Sequence, residues 1–187
     1  MDTDNELVGR VRGGDDEAFR LLVERHTRAI YRAAYRIVAN AADADDVVQE
    51  TFLRAYRAID RYDARASFTT WIHRIAINCS LDLIDSRKRR DARHIGGGDE
   101  DLAAIASTAA SPDRIVHGLE MQRAVASAME RLSGNERTAF VLRHFEGMPL
   151  EEIGQILGTQ INATKNTVFR AVKKLREQLQ PFTGSLV

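Results

Sequence analysis

Two clusters of basic side chains in this sequence have the type and spacing needed to bind phosphate groups. Between Asp85 and His94 there are five lysines and arginines against two aspartates, and between Ala163 and Arg176 there are five and no acids. Each contact to a phosphate releases counterions, so such clusters give affinity for nucleic acid without reading its sequence. The alternative is that basic helix ends only complement the helix dipole. Two clusters in a chain with 27 basic and 27 acidic residues favour DNA binding.

Acidic side chains are concentrated elsewhere, at the start of a predicted helix. Four carboxylates and one amide lie close together: Asp43, Asp45, Asp46, Gln49 and Glu50. An acid-rich first turn is stabilised by the helix dipole, by about 0.3–1 kcal/mol per charge. Four acids on one short helix exceed what capping needs, and DNA would repel them. We therefore interpret this surface as a binding site for a protein partner with a basic surface.

Residues for catalysis or metal binding show no recognisable arrangement. The five histidines are scattered, without HExxH or a pair at metal-ligand spacing. Cys79 lies on an apolar helical face and is interpreted as a small core residue rather than a reactive thiol. The glycines at 96–98 lack the lysine and helix of a phosphate-binding loop. The sequence therefore predicts that the protein is not an enzyme and has no metal, cofactor or small-molecule substrate.

The elements that position these residues are predicted to be helices. Apolar residues recur at intervals of three and four over 16–39, after the capping residue Asp15, and again over 44–59. Residues 60–67 have no sustained period and are predicted to form a loop. A third helix starts near Phe68 and continues into the basic run at Arg87. No strand-like alternation appears.

The periodic pattern stops after this run and resumes near Ile115. Residues 93–114 are predicted to form a flexible linker, because they include three glycines and no amphipathic period. Ser133 and Glu136 match a capping box, which starts a helix. A glycine turn then leads into a basic final helix, as in a helix-turn-helix. The predicted fold is all-α, with two small helical domains joined by a flexible linker.

The composition limits the cellular compartment in which we expect the protein to act. A single cysteine excludes a disulfide framework and fits a reducing compartment. The acidic start lacks the apolar region of a signal peptide, and no stretch approaches the ~20 apolar residues of a membrane span. We therefore expect a cytoplasmic protein without direct membrane insertion.

Two runs of residues carry a family resemblance. The run DADDVVQETFLRA, from Asp43 to Ala55, resembles the motif DAEDLVQETFLRAW, and FTTWIHRIAIN, from Phe68 to Asn78, resembles a second motif of that family. With Glu151-Glu152-Ile153 and the basic final helix in the same order, the sequence resembles the extracytoplasmic-function (ECF) group of bacterial RNA polymerase sigma factors, in the sigma-70 family. The resemblance covers about residues 15–90 and 115–180. It implies a factor that binds core RNA polymerase and directs promoter-specific transcription initiation.

The resemblance implies that residues 1–92 are sigma region 2, which binds core polymerase and melts the −10 element. One surface would dock on the coiled coil of the β′ subunit. Its residues would be Asp43, Asp45, Asp46, Gln49, Glu50, Phe52 and Leu53. Other residues would hold −10 DNA, namely Arg61, Arg65, Ser67, Arg74, Asn78, Arg87, Lys88, Arg89 and Arg90. Asn78 suits the reading of an unstacked base because its amide both donates and accepts, whereas Trp71 is interpreted mainly as a core residue.

Residues 115–187 would be sigma region 4, which reads the −35 element. With Asn162 as N-cap and a buried stripe from Val168 to Leu179, the residues facing DNA or solvent would be Thr164, Lys165, Asn166, Thr167, Phe169, Arg170 and Lys173. We predict that Lys165 and Asn166 contact base edges and that Arg170 and Lys173 contact phosphates. The usual run GTVKSRLxRA has a Ser-Arg pair where this chain has Asn166-Thr167, so a different −35 sequence is expected.

Three further hypotheses follow from the resemblance. The partners would include the β and β′ subunits of polymerase, promoter DNA and an anti-sigma factor. Thr51 would be a phosphorylation site that adds charge to the polymerase-facing helix. The acids at 99–101 would enter a basic polymerase channel or belong to a solvated spacer. Two other functions stay open: a stand-alone helix-turn-helix regulator, and a sigma-like decoy for an anti-sigma factor.

Overall fold

The described part of the chain is built from α-helices. The computed structural model describes residues 2–93, 121 and 123–183, and no β-strand occurs among them. The helices of the first domain are α1 (Asp4–Arg12), α2 (Asp16–Val38), α3 (Ala41–Ala58) and α4 (Phe68–Arg93), with a 3₁₀ turn at Ile59–Arg61. Those of the second domain are α5 (123–130), α6 (Gly134–His144), α7 (Leu150–Leu157) and α8 (Ile161–Thr183). The predicted all-α class is confirmed.

Side-chain caps fix where the helices begin. The Asp15 carboxylate accepts from the Ala18 amide, so α2 begins where the sequence predicted. Ser133 and Glu136 form the predicted capping box of α6. Helix α3 begins three residues earlier than predicted, because Asn40 caps it by accepting from the Asp43 amide at 3.0 Å.

Helix α1 was not predicted from periodicity. It spans nine residues, too few for a clear amphipathic pattern. Its signal was the capping box formed by Thr3 and Glu6, which satisfies two free backbone amides. Leu7, Val8 and Val11 are buried against the rest of the first domain, so α1 is a structural part of that domain.

Each domain has a hydrophobic cluster of its own. In the first domain, α1–α4 bury a cluster that includes Leu7, Leu22, Ile30, Phe52 and Phe68. In the second domain, Ala128 and Leu132 pack against Ala171 and Leu175 of α8. These clusters hold the acidic helix, the 62–67 loop and the final helix in place.

The two domains also share a third cluster. Ile37 and Ile77 of the first domain belong to one buried group with Leu142 and Ile153 of the second. Helix α7 packs on α4, and α6 packs on α2. The sequence predicted two domains joined by a linker, and the structure adds that they are docked. The predicted linker at 93–114, with its acids at 99–101, lies outside the described residues except for Arg93.

Candidate functional site

The outward face of α3 is acidic. Asp45, Asp46 and Gln49 are exposed, and Leu53 is 51% exposed. Glu50 is half-buried and accepts a hydrogen bond of 2.6 Å from Arg54 Nε. An exposed leucine beside carboxylates gives a partner both an apolar contact and a charge pattern. These five positions form the acidic face of α3, which is suited to a basic protein surface.

Two residues predicted for this surface point inward instead. Asp43 is buried and its carboxylate pairs with the guanidinium of Arg87 on α4. Phe52 is 7% exposed and meets the Phe19 ring edge-on at 6.5 Å. Both fall on the inward stripe of α3 with Val47 and Ala55. Asp43 and Phe52 were predicted as polymerase contacts, whereas in this structure they are buried and support the face from beneath.

Thr51 lies on the same inward stripe. It is fully buried, and its hydroxyl lies against the Cys79 thiol of α4. A phosphate carries about two negative charges and needs water or arginine partners. Phosphorylation of Thr51 stays a prediction, and it would require α3 to move away, because the hydroxyl is buried in this conformation.

The loop that precedes α4 is braced from beneath by α1. The guanidinium of Arg12 donates to the carbonyl oxygens of Ile59, Asp60 and Tyr62. The Tyr62 hydroxyl donates to Ala66 O at 3.0 Å. Sequence reasoning missed Arg12, because nothing in the local pattern links residue 12 to a loop about 50 residues away.

A cavity of about 340 Å³ opens above this loop. Its walls are Asp63, Arg65, Ala66, Thr70, Trp71 and Arg74 from the first domain, and Gln155 from the second. Cationic side chains beside an aromatic ring form the surface that an unstacked nucleotide needs. Trp71 is half-buried and packs on Tyr62 and Phe68, so it belongs to the core and to the cavity wall.

The remaining residues predicted for −10 DNA are placed differently from one another. Arg61, Arg65, Arg74 and Asn78 are exposed, as are Lys88, Arg89 and Arg90 on α4. Ser67 accepts from the Thr70 amide at 3.1 Å and so caps α4. Arg87 is held by Asp43. Thus most of the predicted cations are available, whereas Ser67 and Arg87 have structural partners.

A tight turn joins α7 to α8. Gly158 ends α7 in the left-handed conformation, with φ of 65°, which favours glycine. A Cβ on Gly154 would come within 2.8 Å of the Thr159 carbonyl oxygen, so only glycine fits there. Thr164 is fully buried, and its hydroxyl lies 2.8 Å from Thr159 Oγ1. Thr164 was predicted to face DNA, whereas in this structure it is buried and holds the turn.

The outward face of α8 is polar, basic and aromatic. Lys165, Asn166, Arg170 and Lys173 are exposed, and Phe169 is 67% exposed. Thr167 is half-buried and donates to the Ala163 carbonyl at 2.9 Å. The helix begins at Ile161, one residue before the predicted N-cap Asn162. Exposed side chains on the second helix of such a motif can reach base edges in the major groove.

Buried titratable groups lie where the domains meet. His73 is 1% exposed, and its Nδ1 lies 2.8 Å from the Thr69 carbonyl oxygen, so Nδ1 carries the proton. Its Nε2 has no partner among the described residues. Burial lowers the pKa of His73, opposed by its hydrogen bond and by Glu146 and Glu152 of the second domain. His73 is therefore neutral at pH 7.

The described residues contain no group of histidine, cysteine and carboxylate side chains that could hold a metal ion. Cys79 is buried, and burial raises the pKa of its thiol. No described helix is both long enough and apolar enough to cross a bilayer.

These features define a two-domain helical protein with a helix-turn-helix DNA-binding domain. The family Sigma-70 region 2 matches residues 22–90, and Sigma-70, region 4 matches residues 122–175. The chain is 34% identical to the RNA polymerase sigma-H factor of Pseudomonas aeruginosa, covering 97% of this chain and 96% of that protein. It is 32% identical to the ECF RNA polymerase sigma factor SigW of Bacillus subtilis, covering 92% and 95%.

A solved structure of CnrH in complex with the cytosolic domain of CnrY superposes with a TM-score of 0.71 and 32% identity, covering 96% of this chain and 99% of that one. The chain therefore belongs to the ECF group of the sigma-70 family. It is a sigma factor that directs transcription initiation, and sigma factors are not themselves enzymes. Matches along both domains do not favour a stand-alone regulator or a decoy.

Proposed function

We propose that the acidic face of α3 is the surface that binds core polymerase, through the coiled coil of β′. Its residues are Asp45, Asp46, Gln49, Glu50 and Leu53. The observation that carries this proposal is the orientation of α3, which exposes four of these residues, leaves Glu50 half-buried beside them, and turns Asp43 and Phe52 inward. Arg54 of α3 pairs with Glu50 of this face and with Asp82 of α4.

We propose that residues 1–92 bind −10 DNA through the cavity above the 62–67 loop. Arg65 and Arg74 line that cavity, and Asn78 is exposed one turn further along α4. Arg61, Lys88, Arg89 and Arg90 contribute phosphate contacts. The exposure of these cations and the aromatic wall at Trp71 support the proposal.

Residues 115–187 read the −35 element through α8 in this proposal, after a linker at 93–114. Lys165 and Asn166 contact base edges, while Arg170 and Lys173 contact phosphates. Phe169 offers an apolar contact. The exposed positions of all five on one side of α8 support this assignment.

An anti-sigma factor is a further proposed partner. CnrH is bound to the cytosolic domain of CnrY in the structure that this chain resembles. Two docked domains present a single body that one such partner could cover. We propose that the chain acts in the cytoplasm, where core polymerase and promoter DNA are found.

The polymerase assignment is tested by competition for core polymerase between the wild type and charge-neutralised variants. Asp45→Asn, Asp46→Asn and Glu50→Gln are combined in one variant. The matched control combines Glu24→Gln, Glu130→Gln and Glu151→Gln, which changes net charge equally at exposed sites elsewhere. We expect at least tenfold weaker binding for the first variant only. Equal loss in both would indicate a nonspecific charge effect and contradict the assignment.

A further inference from the structure

Helix α1 ends beneath the loop that forms one wall of the cavity. Its last residue, Arg12, bonds to three carbonyl oxygens through one atom. Arg12 Nη2 donates to Ile59 O at 2.9 Å and to Asp60 O at 3.3 Å, and it also bonds to Tyr62 O. These carbonyls lie where α3 and its 3₁₀ turn end, and backbone oxygens at a helix end lack helical partners and carry partial negative charge. One guanidinium therefore fixes the direction in which the chain leaves α3.

The side chain of Tyr62 connects α1 to the cavity wall. Its hydroxyl lies between Asn5 Oδ1 of α1, at 2.8 Å, and the Ala66 carbonyl oxygen, at 3.0 Å. Burial raises the pKa of Tyr62, so the hydroxyl keeps the proton that it shares between these two acceptors. The ring centres of Tyr62 and Trp71 lie 5.4 Å apart, and Trp71 lines the cavity. Helix α1 therefore contacts the loop at both ends and, through one ring, supports the tryptophan of the wall.

The loop between these contacts has an unusual backbone conformation. Ala64 has a φ of 58°, in the left-handed region that residues with a side chain rarely adopt. The Asp63 carboxylate accepts from the Arg65 amide at 3.1 Å across this residue. A conformation of this kind persists only where the surrounding contacts over-determine it. Since Asp63 and Arg65 line the cavity, the shape of the cavity depends on the contacts that α1 makes.

Helix α1 is itself firmly attached to the first domain. Its apolar residues are buried in the cluster of that domain. The Asp4 carboxylate pairs with Arg25 of α2 and accepts from His26 Nε2 at 2.9 Å. The His26 ring in turn lies 5.2 Å from the ring of Phe68, the first residue of α4. The helix can therefore act as a fixed support for both the loop and the start of α4.

We propose that Arg12 is a positioning residue for the reading of −10 DNA. It acts through the 62–67 loop, whose shape it sets, and Asn5 and Tyr62 act with it. The inference rests on the proposed −10 role of the cavity. A pocket discriminates between bases only when the groups around it hold its walls in one geometry. Without these contacts the loop would sample more conformations, and wrong bases would fit the cavity better than they do now.

Three single substitutions in the full chain test this role. Arg12→Met removes the guanidinium, and Tyr62→Phe removes the hydroxyl but leaves the ring. Arg10→Met is the matched control, because Arg10 is an exposed cation of the same helix that pairs with Asp2 and Asp15 rather than with the loop. Each protein is assembled with core polymerase and transcribes a pool of barcoded promoter DNAs with random −35 and −10 elements. Sequencing the transcribed barcodes gives the base preference at each element.

We expect Arg12→Met and Tyr62→Phe to lower the ratio of preferred to disfavoured bases in the −10 element about fivefold, the factor by which one hydrogen bond biases an equilibrium. Preference in the −35 element should stay unchanged. Trp71 is the single tryptophan of the chain and gives a second readout. Its fluorescence should be quenched more strongly by acrylamide in both variants, whereas Arg10→Met should match the wild type in every measurement.

A purely structural role of Arg12 would lower the midpoint of thermal unfolding without changing the −10 preference, and that result would overturn the inference. Equal losses of preference at the −35 and −10 elements would also overturn it. A variant that combines Arg65→Ala and Arg74→Ala tests the cavity itself. If it loses −10 preference while Arg12→Met keeps it, the −10 assignment stands and only the positioning role fails. If it has no effect, the −10 assignment fails and the inference fails with it.

Discussion

Arg137 of α6 donates a hydrogen bond of 2.7 Å from Nη1 to the carbonyl oxygen of Ile37 at the end of α2. Its Nε donates to the Met129 carbonyl at 2.9 Å. Carbonyls in the last turn of a helix lack partners within that helix and carry partial negative charge. Burial lowers the pKa of Arg137 from its ordinary value, yet the group stays charged at pH 7. One cation thus joins helix ends from both domains.

Arg137→Met should lower the free energy of unfolding by about 1–3 kcal/mol, because two carbonyls lose a charged donor. Urea denaturation measures this change. Arg131→Met is the control, since Arg131 is exposed and bonds only to the Gln178 side chain among the described contacts. It should change stability by less than about 0.5 kcal/mol. Equal effects of the two substitutions would contradict a bridging role for Arg137.

Neutralising Asp43 and neutralising Asp45 should affect different properties, the first stability and the second polymerase binding. Asp43→Asn removes the buried partner of Arg87 and should lower stability by about 1 kcal/mol, leaving polymerase affinity within twofold. Asp45→Asn should leave stability unchanged and weaken polymerase binding. Thermal unfolding and competition for core polymerase measure the two properties. If Asp43→Asn alone weakened polymerase binding, the sorting of α3 would be incorrect.

Substitutions at Thr164 and Asn166 should affect two different properties of the second domain. The first should lower its stability, and the second should change its preference for the −35 sequence. Thr164→Val loses the hydroxyl contacts to Thr159 and Gln160 and should cost about 1 kcal/mol of stability without changing base preference. Asn166→Ala should cost little stability and lose about 1–3 kcal/mol of discrimination at one −35 position. Selection of −35 sequences from a random duplex pool with holoenzyme measures preference. A changed preference in Thr164→Val would argue against its structural role.

Stability should fall as the pH drops below about 6.5. Burial lowers the pKa of His73 and also of His26, whose pKa Asp4 pulls back upward. Between the unfolded and folded pKa values the unfolded chain binds more protons, so unfolding becomes easier as pH falls, by up to about 1.4 kcal/mol per pH unit and group. The pKa of the Glu136 carboxylate is also lowered, so protonation of this group at lower pH should reduce stability further. His73→Gln should reduce the slope between pH 6.5 and 5, whereas exposed His144→Gln should not.

Periodicity predicted the long helices because each buries a continuous stripe. Helix α2 was expected over 16–39 and spans Asp16–Val38, and α4 begins at Phe68 as expected. The positions of the buried stripe could also have shown which of the predicted site residues point inward. Asp43 lies four residues before Val47, and Thr164 lies four before Val168, so both extend an inward row. Their polar character had suggested exposure; an ion pair with Arg87 accompanies the burial of Asp43, and hydrogen bonds to Thr159 and Gln160 accompany that of Thr164.

Contacts between distant segments could not be predicted from local patterns. Arg12 bonds to a loop about 50 residues away, and Glu152 bonds to Thr70 across 82 residues. Nothing in the periodicity of either segment identifies its partner. The close approach of Gly134 to Leu81 between the two domains is likewise a property of packed surfaces rather than of composition. The sequence predicted the parts of the site but not that Gln155 of α7 forms part of the cavity wall.

Run-off transcription with bacterial core polymerase tests the central claim most directly. Core enzyme is supplied with a pool of promoter DNAs, without the chain, with the wild type, and with the variant neutralised at Asp45, Asp46 and Glu50. We predict specific transcripts with the wild type, none without it, and none with the variant, while the control neutralised at Glu24, Glu130 and Glu151 remains active. Transcripts that are unchanged by neutralising the acidic face of α3, or that never depend on the chain, would contradict this account.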